Sequence, residues 1–444
     1  MIAPARWIAL ALLEQIATTH AHSDESLHTR RVNELSAQDR NLVTTLVLGT
    51  LRWQLALDNI MLPMLAHPER PLPQSVRAAL RMGAYQLLHL DRVPAHAVLH
   101  DSVEWVKESE DSYMAGMVNA VLRKIARQQK STLKEASAAH PAWMVRRWQS
   151  FYGAETALRI CESGQRSAPT VLRVLDPFAA YELEREGALM VPAEWMTDSR
   201  RLLSGEVALS TFLSRGQLSV QDQGSQLVAK LAAVAMPDAE RVLDACAAPG
   251  GKTAVLADHL PKAHITAMEV HARRFRRMCT NLSRYADRVY CVQDDAETLS
   301  PGPQYDLILC DVPCSGTGTL GRNPEIRLRL YPEDLLRQQE RQIRILTNVA
   351  RSLRPGGRIV YSTCSLEPEE NEQVIQAVLA QAVLGETELR VTPMEPLVDQ
   401  LATRGMLTPK GAEEVRAAVR EDALRTLPGV HPTDGFFAVV LERP

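Results

Sequence analysis

The stretch DACAAPGGKT, Asp244 to Thr253, leaves a short apolar run, Arg241–Ala245, and enters a helix-like one, Lys252–Leu260, through the adjacent glycines Gly250 and Gly251. A strand, a glycine turn and a helix in that order make a loop where backbone can approach a ligand closely. A phosphate-binding loop needs glycine five positions before Gly251, and Cys246 stands there, so the nucleoside-triphosphatase reading fails. Eighteen residues beyond Gly251, at the end of the next strand-like run, is Glu269. An acid at that place accepts hydrogen bonds from ribose hydroxyls. Such a pattern recurs by chance when it stands alone, so its weight comes from the surrounding chain.

After Pro237, strand-like and helix-like runs alternate. Strands are expected at Arg241–Ala245, His264–Val270, Arg288–Val292, Tyr305–Asp311, Gly357–Cys364 and Gly435–Glu442, with helices at Lys252–Leu260, Ala272–Ala286, Glu333–Leu353 and Pro368–Gln381. This alternation predicts a parallel sheet with helices on both faces and a ligand at the carboxyl ends of the strands. The chain up to about Gln129 instead repeats apolar residues at three- and four-residue steps, which predicts a helical bundle. Between them, short strand-like runs such as TVLRVL and GQLSV indicate a small α/β module. The expected domains are therefore 1–138, 139–235 and 236–444.

A chain of 444 residues exceeds one ordinary core. Its 45% hydrophobic and 23% charged content is that of a globular protein in water. The formal net charge of −3 supplies no global attraction to nucleic acid, so an RNA partner must meet local basic patches. Leu122–Lys130 and Ala272–Met278 are two such patches. The seven cysteines show no framework of short spacings, which suits free thiols in a reducing compartment. No run reaches the ~20 apolar residues of a membrane span, and Trp7–Leu13 reads as a buried helix rather than a signal peptide. A cytoplasmic protein is expected, with no membrane partner. His96 and His100 lie one helical turn apart without a third ligand nearby, so no metal site is expected.

The most specific signals are two later strand ends. YDLILCDVPCSG places Asp311, Pro313 and Cys314 at one tip; GRIVYSTCS places Thr363, Cys364 and Ser365 at the next. A zinc site from Cys246, Cys310, Cys314 and Cys364 lacks paired Cys-x-x-Cys spacing. Cys161, Cys279, Cys291 and Cys310 suit buried, inert thiols, with the Cys310 side chain pointing away from that of Asp311.

The segments VLDACAAPGGKT (Val242–Thr253), DVPCSGTG (Asp311–Gly318), STCSLEPEEN (Ser362–Asn371) and DGFFAVVL (Asp434–Leu441) resemble the successive motifs of RNA cytosine-C5 methyltransferases. The likeness is to the RsmB/Sun (Fmu) branch of the superfamily that includes the eukaryotic NSUN proteins. LSVQDQGSQL (Leu218–Leu227) resembles the segment before the catalytic domain there, and the helical region resembles a NusB-like RNA-binding domain. The resemblance covers nearly the whole chain. It implies a multidomain protein: an all-α NusB-like domain, a small α/β linker domain, and an α/β Rossmann-like methyltransferase domain using S-adenosylmethionine (SAM). It also implies methyl transfer to a cytosine of 16S ribosomal RNA by a monomer. In that scheme Cys246, Ala247, Ala248, Pro249, Gly250, Gly251 and Lys252 form the loop beneath the cofactor, Glu269 holds the ribose, and Asp295 approaches adenine. The family usually shows Gly-Asp there, whereas Asp294 precedes Asp295 here.

C5 of cytosine is a poor nucleophile until a thiolate adds at C6. By resemblance that thiol is Cys364; Asp311 steadies the base edge and also borders the cofactor, Cys314 takes the C5 proton, and Lys252 positions Asp311. Arg322, Asn323 and Pro324 are expected to line the target-base pocket. Thr408–Pro432 receives no role beyond a possible cover for the cofactor. A transfer-RNA methyltransferase and a binding-only NusB-like assembly factor are the rival readings. The second does not need both strand-tip thiols.

Overall fold

The computed structural model describes residues 2–19, 21–128, 136–205, 207, 210–299, 302, 304–382 and 388–444. The end of the first basic patch, Gln129–Lys130, lies outside them. Contacts divide the chain into two units: Met1–Ser167 with Leu320–Arg329, and Ala168–Thr319 with Leu330–Pro444.

The first unit is helical. Its main helices are Pro4–Thr19, Ala37–Met61, Gln74–His89, Ala95–Lys107, Ala115–Ala126, Ala142–Tyr152 and Ala154–Gln165. Ser36 starts the longest of them by accepting a hydrogen bond from the Asp39 amide, and Asp39 adds a negative charge to the first turn. The three- and four-residue apolar spacing becomes one continuous core containing Leu10, Ile16, Val43, Leu46, Leu57, Val76, Leu80 and Leu122.

Leu320–Arg329 packs with these helices although it follows the Cys314 segment in sequence. Arg327 is 1% exposed. Its guanidinium donates to the carbonyls of Gly164 (2.8 Å), Leu320 (3.3 Å), Ala139 (3.4 Å) and Arg52 (3.5 Å). Burial pulls its pKa down to about 9. Glu325, equally buried, accepts from the Ser23 amide (3.1 Å) and hydroxyl (2.7 Å). Arg329 donates to the carbonyls of Ile16 and Ala21, while Arg52 donates to Gly321. Ten residues are thus stitched in largely through polar groups that hydrophobic periodicity does not register.

In the second unit, β1 (Thr170–Val174), β2 (Leu189–Pro192), β3 (Ser199–Ser204) and β4 (Leu218–Val220) form an antiparallel sheet in the order β2-β3-β1-β4. The helix Pro177–Arg185 contributes Ala179 and Leu183 to its small core. This is the small α/β module expected from the sequence.

The larger sheet holds β5 (Arg241–Asp244), β6 (His264–Met268), β7 (Val289–Val292), β8 (Tyr305–Asp311), β9 (Leu353–Thr363), β10 (Arg390–Val391), β11 (Val419–Arg420), β12 (Ala423–Thr426) and β13 (Phe436–Glu442). Its order is β11-β12-β13-β9-β8-β5-β6-β7, with β10 on β13. Strands β5 to β9 are parallel neighbours, as expected. The expected all-parallel sheet is corrected at one side: β13 runs antiparallel to β9 and β12 antiparallel to β13. For β12 with β13, the short return from Thr426 to Phe436 permits only antiparallel pairing, because a parallel neighbour needs a crossover of a dozen or more residues. The winding reverses at β5, which lies between β6 and β8, so a crevice opens at the carboxyl ends of those strands. Among the described residues no helix is long and apolar enough to cross a membrane.

Replacing Arg327 with Met leaves several buried carbonyls without their donor. The variant is expected to lose about 2–4 kcal/mol of stability in the helical unit. Urea unfolding followed by far-UV circular dichroism measures this, with the exposed Arg123→Met as the control.

Candidate active site

Loops leaving β5, β6, β7, β8 and β9 surround a cavity of about 210 Å³. Cys246, Ala248, Glu269, Asp294, Asp295, Asp311, Cys314 and Cys364 all line it. Ala247, Pro249, Gly250 and Gly251 belong to the same turn but do not line the cavity; they shape its wall. Gly250 has φ +102°, and a Cβ there would press on Leu282 at 3.0 Å. Glycine is therefore required for the chain to enter the helix Gly251–His259.

Lys252 also stays outside the lining and acts through Asp311, its Nζ lying 2.7 Å from Oδ2. Burial works to lower the Lys252 pKa, but the charge and hydrogen bond of Asp311 outweigh it and hold it above the ordinary lysine value. The other Asp311 oxygen accepts from Ser362 Oγ at 2.7 Å. Behind this pair lies Asp244, 1% exposed, whose carboxyl burial pushes up to about 7 despite a hydrogen bond from Thr253.

At the other end, Glu269 is 4% exposed and accepts from the His271 amide at 2.8 Å. Arg274 stands 3.4 Å from its second oxygen and donates to the Ala248 carbonyl, tying the two loops together. The two consecutive aspartates differ in setting. Asp294 is exposed and turns its carboxylate back onto the Asp295 amide, whereas Asp295 is half-buried and accepts from the Glu297 amide.

The two strand-tip sulfurs meet. Cys314 Sγ and Cys364 Sγ are 3.4 Å apart, within reach of an S–H···S hydrogen bond. Their loops are tied by Gly318 N donating to the Cys364 carbonyl (2.9 Å) and Leu366 N donating to Thr317 Oγ1 (2.9 Å). A side chain at Gly318 would collide with the carbonyls of Gly435 and Cys364, so the close approach needs glycine. The hydrogen bond with Cys364, followed by burial, pushes the Cys314 thiol well up.

Cys310 is fully buried in the core beneath the sheet, away from the cavity. Cys161 is buried among the helices of the first unit, and burial raises its thiol to about 11. Cys279 and Cys291 are only half-buried, rather than buried as expected, and form a hydrogen-bonded pair. They sit on a helix and an edge strand, where one side stays open. Arg322, Asn323 and Pro324 do not line this cavity and belong by contacts to the helical unit. Of Thr408–Pro432, no residue lines the cavity either; Thr408 and Glu414 bond to Trp195 instead.

Comparison with known proteins gives this geometry a context. The family "16S rRNA methyltransferase RsmB/F" matches residues 231–442, the NusB family 3–127, and the ferredoxin-like domain of RsmF/B-like methyltransferases 140–175. The chain is 33% identical to the probable ribosomal RNA small subunit methyltransferase B of Bacillus subtilis, over 97% of both chains. The chain belongs to the RsmB/F methyltransferase family. The solved structure of PH0851 covers 100% of the chain and 99% of its own, with a TM-score of 0.78 at 22% identity, and so shares the fold. A methyltransferase homolog from Pyrococcus horikoshii covers 67% of this chain and 94% of its own, at 28% identity and a TM-score of 0.51.

Against the RsmB/F motifs, sequence reading missed His271, Arg274 and Arg341 in the cavity wall. Arg274 follows Glu269 by five residues in a run of arginines, a signal read only as a surface patch. Arg341 is held by Glu297, and its helix gave no sign of facing a ligand.

The Asp244 carboxyl sets a pH dependence. Its folded pKa of about 7 lies above the 3.8 of an ordinary aspartate in the unfolded chain, so its contribution to stability is complete below the lower value and drains away as pH rises through the upper. Asp244→Asn removes the titration. Urea midpoints measured across this range should fall for the wild type relative to the variant as pH rises.

Proposed function

We propose that this protein methylates C5 of a cytosine in small-subunit ribosomal RNA, with SAM as methyl donor and a transient bond between Cys364 and C6 of the base. The observation that carries this reading is the 3.4 Å contact of two cysteine sulfurs in the cavity that also holds Glu269 and Asp295. Ordinary methyl transfer to an amine or hydroxyl needs no thiol, whereas an unactivated ring carbon needs a nucleophile and then a base.

The residues fit the cofactor. Glu269 would take the ribose hydroxyls, and half-buried Asp295 suits the adenine amino group better than exposed Asp294, each carboxylate keeping one oxygen beyond the backbone amide it accepts from. The loop Cys246–Gly251 would support the methionine portion. Once bound, SAM supplies an electrophilic sulfonium methyl group.

Cys364 thiolate forms an S–C6 bond, and the ring electrons move toward C5. Lys252 contributes positive charge near Cys364 and holds Asp311 in place. Asp311 meets the N3/N4 edge of the base. After C5 has gained the methyl group, its proton leaves, the C5–C6 double bond re-forms, and the S–C6 bond breaks to return the Cys364 thiolate. The chief cause of the raised Cys314 pKa is its hydrogen bond to Cys364. When Cys364 is a thioether it no longer accepts a proton strongly, so Cys314 loses the largest of the restraints on its proton while burial and the nearby carboxylates still raise it, and in this reading Cys314 serves as the base. The two sulfurs thereby act in sequence.

A stacked base is out of reach, so the cytosine is single-stranded or flipped out. Arg273, Arg276 and Arg277, exposed on the helix Ala272–Leu282, offer phosphate contacts near the cavity. The helical region is the second RNA-binding element in this reading, within a three-part organisation of 1–138, 139–235 and 236–444. The protein acts as a cytoplasmic monomer.

Cys364→Ala should abolish methyl transfer and adduct formation. Cys314→Ala should lower turnover by about 10²–10⁴-fold and leave a denaturant-resistant RNA–protein adduct. Gel mobility after denaturation reads the adduct. The reverse pattern would exchange the two roles. Bisulfite mapping of 5-methylcytosine in cells lacking the gene should show loss at one site of 16S ribosomal RNA; loss in transfer RNA would overturn the substrate.

A further inference from the structure

A carboxylate with no exposed surface lies behind the two thiols. Glu370, in the PEEN segment after β9, is 0% exposed and takes no part in the proposed chemistry. Removing a carboxylate from water is unfavourable unless donors replace the solvent. Here one oxygen accepts from the Ser315 amide (2.8 Å) and from Gln342 Nε2 (3.0 Å). The other accepts from the hydroxyls of Ser315 and Ser365. Burial still leaves the Glu370 pKa above its usual value, with those four donors opposing the rise.

The identity of the partners carries the argument. Ser315 follows Cys314 directly, and Ser365 follows Cys364 directly. One rigid, two-oxygen group therefore grips the residue next to each sulfur, on two loops that arise from different strands. We propose that Glu370 is a positioning residue that sets the separation and facing of the Cys314 and Cys364 sulfurs, an inference that rests on the reading of both as working thiols.

The surrounding contacts favour such a role over simple loop-building. The backbone at position 370 is held independently: Tyr361 donates its hydroxyl to the Glu370 carbonyl at 2.6 Å. Next to it, Asn371 accepts from Thr363 Oγ1 (2.6 Å) and donates to the Ser365 carbonyl (3.0 Å). The two loops also keep their own link through Gly318 and Cys364. Changing the carboxylate therefore leaves fold and loop attachment in place while releasing the serines. Glutamine at 370 has nearly the same volume, but its amide nitrogen presents donors at a position where two donors already point, either the two hydroxyls or the Ser315 amide and Gln342 Nε2.

Diamide provides a test of sulfur placement that needs no RNA. It accepts two electrons and two protons from a pair of thiols, becoming a hydrazine as the disulfide forms. The Cys279–Cys291 pair serves as an internal rate standard. Closure of Cys314–Cys364, followed in the full chain by peptide mass spectrometry, should be about 10-fold or more slower in Glu370→Gln than in wild type, with the standard unchanged. The same variant should show kcat reduced by about 100-fold with KM for SAM within about twofold, since misplacement of reacting groups by roughly 1 Å costs that much. Ser315→Ala and Ser365→Ala should each give a smaller loss of the same kind, which keeps the test open if Glu370→Gln does not fold. Wild-type closure rate and kcat in a folded Glu370→Gln protein would overturn the proposal. Slowed closure together with no adduct in Cys314→Ala would keep the positioning role and reject the two-thiol chemistry instead.

Discussion

Two parallel strands, β8 and β9, run side by side with Asp311 opposite Ser362, and that register decides what can meet above them. In β8 the chain leaves the sheet at Asp311 and reaches Cys314 three residues later; in β9 it leaves at Thr363 and reaches Cys364 at once. Because side chains alternate across a strand, a one-residue slip in either would turn its tip group to the other face. The apolar faces of Ile308, Cys310, Ile359 and Tyr361 hold the register from below. The 3.4 Å sulfur contact is thus a consequence of core packing, carried up the strands and fixed at the top by Gly318 and Glu370.

Polarity is arranged around the same constraint. Lys252 faces Asp311 with its Nζ at 2.7 Å and also lies 5.3 Å from the Phe436 ring centroid, so a nearly enclosed cation is held by a carboxylate and an aromatic face. Asp244 sits below them with a raised pKa of about 7, which limits how much negative charge gathers beneath the thiols near neutral pH. The cavity wall is consequently acidic at Glu269, Asp294 and Asp295 and carries two thiols at the tips of β8 and β9, with the Lys252 cation reaching it through Asp311.

Much of this was legible in the chain itself. Strand–helix alternation gave β5 to β9, and the strand ends of that expected sheet singled out Glu269, Asp311, Cys314 and Cys364. What escaped was set by contacts between residues remote in sequence. The antiparallel pairing of β12 with β13 follows from a short connection, and neither it nor the antiparallel pairing of β13 with β9 is written in any alternation of apolar residues. Arg327 reads as one arginine in a charged run, yet it is 1% exposed because four carbonyls from separate helices and turns converge on it. Glu370 looks like one acid among several in LEPEEN. Only the folded position of Ser315 and Ser365 distinguishes it from Glu369.

The Cys314 loop is constrained within its own unit by two anchors. The chain passes from Cys314 through Gly318, the point of closest backbone approach, and then enters ten residues whose contacts belong to the helical unit. A loop anchored only by its own hydrogen bonds would exchange conformations readily. This one is held at Ser315 by a buried carboxylate and at Gly318 by the Cys364 carbonyl. Each anchor removes freedom from a chain segment whose task in the proposed reaction is to keep one sulfur within bonding distance of another. Rigidity there favours a thiol that acts only after its neighbour has changed state, since the exchange of roles then needs a proton to move and no backbone to rearrange.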